Sequence, residues 1–190
     1  MKKSTLLLFL TILAQYSLAQ NKEFKKGQHD VSIGIGFITA LFNIDGYTMK
    51  TKTPPLSLSY EYGITDEFSI GAFIGSAKQD AYTTLINLNT GVVFYGKEGT
   101  LTHTLVGCRG LYHIPLYQKI DTYIGAMIGY NAVSEDYAAD NIYAGQTDKT
   151  GTLAYSFLAG GRYRLSQHTR IFAEIGYGIS VISCGINFQF

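Results

Sequence analysis

Apolar residues recur at every second position in eight separate stretches of this chain, the spacing of side chains along one face of a β-strand. In residues 29–39, Val31, Ile33, Ile35 and Phe37 share one face, while Asp30, Ser32, Gly34 and Gly36 share the other. In 55–63, Leu56, Leu58, Tyr60 and Tyr62 oppose Ser57, Ser59 and Glu61; in 68–77, Phe68, Ile70, Ala72 and Ile74 oppose Ser69, Gly71, Phe73 and Gly75. Residues 102–113 carry Val106, Cys108 and Tyr112 against Arg109, and 121–131 carry Ile124, Ala126, Ile128 and Tyr130. Residues 152–165 set Leu153, Tyr155, Phe157, Ala159 and Tyr163 against Ser156, Gly160, Arg162 and Arg164. Residues 170–180 set Ile171, Ala173, Ile175, Tyr177 and Ile179 against Glu174, Gly176 and Gly178, and the closing stretch aligns Cys184, Ile186, Phe188 and Phe190.

Amphipathic strands also build soluble sandwiches, so the composition of the second face decides which face meets water. A solvated face is rich in Lys, Glu and Thr; here the second face is Gly and Ser with isolated ions, as suits a cramped interior. Charged residues make up only 15% of the chain, against 21 Gly and 15 Tyr, a balance that suits an apolar, aromatic exterior. The pattern predicts an all-β fold, an eight-stranded antiparallel up-and-down transmembrane β-barrel, apolar outward and small or polar inward. A formal net charge of +1 with no basic run argues against a nucleic-acid partner.

Residues 1–19 read as a secretory signal peptide: Lys2 and Lys3, an apolar core from Leu6 to Ala14, then small Ser17 and Ala19. Cleavage after Ala19 would leave 20–190 as the barrel domain. The links between strands alternate in length, with short "GITDE", "IPLYQK" and "SQH" set against long "ALFNIDGYTMKTKT", the stretch around 78–101, and "AVSEDYAADNIYAGQTDKTG". The exception is a tight final link near Val181. Short turns belong to the periplasmic side of such barrels and long loops to the outside, which places both termini in the periplasm and requires an even strand number. Leu85 to Gly96 is therefore assigned to an extension of the second long loop, a strand continuing above the membrane; a ten-stranded barrel is the alternative.

On this topology Tyr60, Tyr62, Phe68, Tyr112, Tyr163, Phe188 and Phe190 form one interfacial girdle, and Phe37, Tyr130 and Tyr155 the other. The terminal aromatic resembles the signal read by the barrel-assembly machinery, and "GCRGLYHI", "IGAMIGYN", "LAGGRYRLS" and "FAEIGYGIS" resemble the small outer-membrane β-barrel domain family common in Bacteroidota. The resemblance covers nearly all of the mature chain. It implies outer-membrane lipid as the solvent, assembly through the strand ending at Phe190, and no defined activity or cofactor.

Glu61, Arg109, Arg162 and Glu174 point inward near the periplasmic strand ends, with Asp30, Arg164 and Arg170 nearer the rim. Isolated charges in a narrow barrel are expensive, so Arg162 is expected to pair with Glu174, and Glu61 with Arg109 across Gly71. This interior cluster reads as a structural plug; a gate or proton-linked site is the alternative. His103 faces inward near the outer rim, His113 and His168 fall at periplasmic turns, and no nucleophile elbow or metal-ligand cluster accompanies them. Cys108 and Cys184 fall on opposite sides of the barrel facing lipid, too far apart for a disulfide.

Function is then expected in the loops. Glu135, Asp136, Asp140 and Asp148 make one loop acidic without calcium-loop spacing, and Tyr47, Tyr82, Tyr137 and Tyr143 offer contact residues. The favoured class is a non-catalytic outer-membrane protein serving envelope integrity or surface contact. A narrow channel for small apolar molecules or ions, and a lipid A-modifying enzyme, are the alternatives.

Overall fold

The structure, a computed structural model, describes residues 23–37, 47–86, 93–138 and 145–190. Eight antiparallel strands run in sequence order and close on themselves: β1 (His29–Gly36), β2 (Tyr47–Gly63), β3 (Phe68–Ile86), β4 (Val93–Tyr117), β5 (Ile120–Tyr137), β6 (Thr147–Arg164), β7 (Thr169–Gly176) and β8 (Ile182–Gln189). The ring shuts where β1 pairs with β8, Val31 opposite Phe188 and Ile35 opposite Cys184. Reciprocal backbone bonds between His29 and Phe190 finish that seam, so the terminal residue is the last rung of the barrel. Closure removes every sheet edge along the shared height of the wall, which a β-structure in hydrocarbon requires.

The two faces separate as the alternation predicts. Ile33, Val106, Ile128, Phe157 and Ile175 are exposed on the outer wall, while Asp30, Ser32, Ser59, Glu61, Arg109 and Arg162 are buried within. Both aromatic girdles stand on the outer surface, Tyr60 to Tyr163 at the short-turn end and Phe37, Tyr130 and Tyr155 at the other. Cys108 on β4 and Cys184 on β8 carry free thiols.

Strand length is uneven. The strands β1, β7 and β8 have 8 residues each, whereas β2 to β6 have 17 to 25. Leu85–Ile86 belong to the end of β3 and Val93–Gly96 to the start of β4, which pairs there with Thr83–Ile86, so the described part of that segment heightens an existing hairpin and adds no ninth strand. One outward assignment is corrected. Strand β7 ends at Gly176, the chain folds inward, and Ile179 is buried with Ala77, Leu105, Met127 and Ala154, packed against Phe73. This apolar layer fills the lumen at the loop end; an eight-stranded interior is narrow enough for side chains to do so.

Candidate functional site

Below the apolar layer the lumen is ionic, and each charge is placed by strand register. Glu61 on β2 lies level with Gly71 on β3, which lies level with Arg109 on β4. With no side chain on the middle strand, Arg109 Nε reaches Glu61 at 3.3 Å. The same device recurs on the opposite wall, where Tyr123, Gly160 and Glu174 share a rung. A Cβ on Gly160 would stand 2.8 Å from both the Tyr123 ring and the Glu174 side chain, so its absence lets the tyrosine hydroxyl donate to Glu174 at 2.8 Å.

Arg162 does not pair with Glu174. Its guanidinium crosses the lumen from β6 to donate to Glu61 on β2 at 2.5 Å, with Asp30 at 3.5 Å and Asp121 at 3.7 Å. Glu174 is taken from the opposite wall by Arg109, at 2.6 Å. The reason is geometric: inward side chains converge on the axis of so narrow a barrel, and a long guanidinium meets the far wall as readily as its diagonal neighbour. Glu61 thus bridges Arg109 and Arg162, and all four predicted residues join one chain of contacts, Glu174–Arg109–Glu61–Arg162. Asp30 and Glu61 sit directly opposite each other on β1 and β2, a repulsive pair that is tolerable because Arg162 spans both. Arg170 adds a further contact to Asp30 at 3.1 Å.

His113 is not at a turn. Strand β4 continues to Tyr117 and carries the ring into the lumen, where it is buried. Ser69 Oγ lies 3.0 Å from its Nε2 and Asp121 Oδ1 lies 2.8 Å from its Nδ1. Hydroxyl, imidazole and carboxylate follow the order of a nucleophilic triad. Ser69 is fully enclosed, however, and sits on a strand paired on both sides, where the backbone N–H groups serve the ladder and do not converge on an oxyanion position. The arrangement fixes the plane of the ring. Sequence reading missed Asp121, Tyr123 and this histidine as lumen residues, although strand parity from Ile124 places both Asp121 and Tyr123 inward.

At the other end, β2 to β6 project past the low wall of β1, β7 and β8 as a polar sheet. Asp80 accepts from Thr100 at 2.6 Å and pairs with Lys97 at 3.0 Å, and Lys50 lies over the Tyr82 ring. Burial alone would raise the Asp80 carboxyl, but these donors hold it below the usual carboxylate range. Glu135 stands opposite Asp148; partial burial, with Asp148 and Glu98 adding repulsion, raises it. Tyr137 donates to Asp148 at 2.9 Å and Thr147 to Asp136 at 3.0 Å. No group of three or more acidic, His or Cys residues fit to hold a metal occurs among the described residues. Asp140, Tyr143 and residues 1–22 lie outside the described residues.

The sequence matches the family model described as outer membrane protein beta-barrel domain over residues 5–187. The chain belongs to this outer-membrane β-barrel family. Solved structures share its fold at low sequence identity. OprG of Pseudomonas aeruginosa superposes with a TM-score of 0.66 at 12% identity, covering 89% of this chain and 98% of its own. Ail, the attachment invasion locus protein of Yersinia pestis, gives 0.54 at 13%, covering 87% and 99%. Neisserial surface protein A gives 0.55 at 11%, covering 87% and 98%. No curated protein matches the chain in sequence.

Proposed function

We propose that this protein is a non-catalytic outer-membrane barrel whose role lies in the sheet and loops it raises above the membrane, in surface contact or envelope integrity. The observation that carries the reading is the contrast between a filled lumen and a projecting rim. Within the barrel, the space beside Arg109, Glu174 and Met127 amounts to about 40 Å³, room for ordered water and little else. Outside, β2 to β6 hold a wall of Lys, Asp, Glu, Thr and Tyr side chains in fixed register. That the fold is shared with the attachment invasion locus protein and with Neisserial surface protein A agrees with this reading.

The same proposal takes residues 1–19 as a signal peptide cleaved after Ala19, an origin in Bacteroidota, and delivery to the barrel-assembly machinery through the strand ending at Phe190. The quartet Glu61, Arg109, Arg162 and Glu174 serves it as a structural plug. The test is binding of the purified folded barrel to glycan and envelope-protein arrays, beside a barrel whose β2–β6 tips are shortened to the height of β1. Binding that disappears with the tips supports surface contact. Equal binding by both barrels, or steady ion conductance of the intact barrel in a planar bilayer, sinks the reading in favour of a channel.

A further inference from the structure

Residues just ahead of β1 do not trail from the barrel but turn back into its short-turn mouth. Phe24 is 2% exposed, its ring stacked on His113 at 3.6 Å between centroids and within 2° of parallel. Glu23 reaches the rims of β6 and β7: its carboxylate pairs with Arg164 at 2.8 Å and lies 3.7 Å from Arg170, which also donates to the Glu23 carbonyl. Lys26 N–H donates to Asp66 in the β2–β3 turn at 2.8 Å, and Gly27 and Gly63 are joined by a backbone bond. Gly63 is cut to fit this segment, since a Cβ there would stand 2.5 Å from the Lys25 carbonyl and 2.9 Å from the Phe24 ring.

The seat is as well defined as the occupant. Ser69 and Asp121 hold both nitrogens of His113, so the imidazole presents one flat face to the mouth, and Phe24 lies on it. We infer that Glu23–Lys26 is a built-in cork, seated by Phe24 on His113 and anchored by Glu23 to Arg164 and Arg170, that closes the barrel to the periplasm. Gly27, at a φ of 80° and with open space around it, is the hinge on which the cork leaves while Gln28 stays bonded to Asp30. Cork and ion network are closures at two levels, joined through Arg170, which holds both Glu23 and Asp30: the cork excludes periplasmic water from Ser69, His113 and Asp121, and the network seals the level above. This inference stands apart from the surface-contact reading, because a cork can close a barrel whatever its loops bind.

The test is solvent access from the periplasmic side. Ser69→Cys is introduced into a barrel with Cys108 and Cys184 replaced by Ala, folded into vesicles, and treated with a charged methanethiosulfonate. The thiol should be protected in that background and react at least tenfold faster when Phe24→Ala is added, while a Ser156→Cys probe above the network stays protected in both. Phe24→Tyr should restore protection of Ser69→Cys. If Phe24→Ala prevents folding, Glu23→Gln, which leaves the ring in place and weakens only the anchor, should raise reactivity at least threefold. Equal reactivity of Ser69→Cys across every variant that folds overturns the cork, and parallel opening of Ser156→Cys overturns the separation of the two closures.

Discussion

Removing the Glu61 carboxylate should damage this barrel more than removing any other single acid of the lumen. In Glu61→Ala, Arg162 loses its contact at 2.5 Å and is left with carboxylates at 3.5 and 3.7 Å, too distant for strong hydrogen bonds. Arg109 loses a 3.3 Å neighbour and keeps Glu174 at 2.6 Å. One buried guanidinium is thus stranded and a second weakened, and breaking a buried pair from one side costs about 3–5 kcal/mol. That is roughly two to three and a half powers of ten in the folding equilibrium. Glu174→Ala, at a site partly open to the lumen cavity, leaves Arg109 beside Glu61 and one tyrosine hydroxyl unpartnered, a loss of about 1–3 kcal/mol. The double variant Glu61→Met/Arg162→Met removes both charges and should recover most of the Glu61→Ala loss. The measurement is reversible folding into lipid vesicles across a urea series, with the folded fraction read from the heat-sensitive shift in gel mobility, since the chain has no Trp to report by fluorescence. A Glu61→Ala barrel within about 1 kcal/mol of wild type would refute the reasoning, showing that water reaches these guanidiniums and solvates them.

Gly160→Ala should separate Tyr123 from Glu174 and lower stability by about 1–3 kcal/mol, the cost of overpacking; the same urea series reads it, and an unchanged midpoint would mean that the rung yields without strain. At the β5–β6 tip, Glu135 is raised, so its stabilising form is the protonated one: the contribution is complete below the ordinary carboxylate range and disappears as pH rises through the shifted value. Glu135→Gln should therefore stabilise that tip at neutral pH by about 0.2–1 kcal/mol and lose its advantage in acid, seen as slower amide exchange than wild type compared at each pH. Asp80 carries the opposite sign, its stabilisation present above the ordinary range and lost as pH falls through the lowered value; Asp80→Asn should loosen the β3–β4 extension at neutral pH and match wild type in strong acid. The barrel itself should need detergent or lipid to remain monomeric, and sedimentation of a soluble monomer without either would remove the membrane assignment.

Strand number, order and facing were legible because lipid outside and close packing inside make parity nearly error-free: Ile33, Leu58 and Ile186 all fall outward from sequence alone. Pairings were less legible. Register can be read along a wall, so Glu61 and Arg109 could be matched across Gly71, but contacts through the lumen depend on barrel diameter and side-chain reach, and Arg162 went to Glu61. Ile179 kept its alternation with Tyr177 in sequence while the strand had already ended at Gly176, so parity no longer applied. The inner apolar layer of Leu105, Met127 and Ala154 was hidden within runs apolar on both faces. The seat of Phe24 left no periodic trace, because a single stacked ring outside any strand has no period to show.

Arg162 and Arg170 both end on Asp30 of the first strand, although they start from the sixth and seventh. None of these contacts can exist while the sheet is still an open ribbon, for the carboxylate and its guanidiniums then stand at distant margins of it. These Asp30 contacts are consequently a lock that turns only after the cylinder has shut, and a barrel that stalls before its final seam is held from within only by contacts along its wall, such as Glu61 with Arg109 and Tyr123 with Glu174.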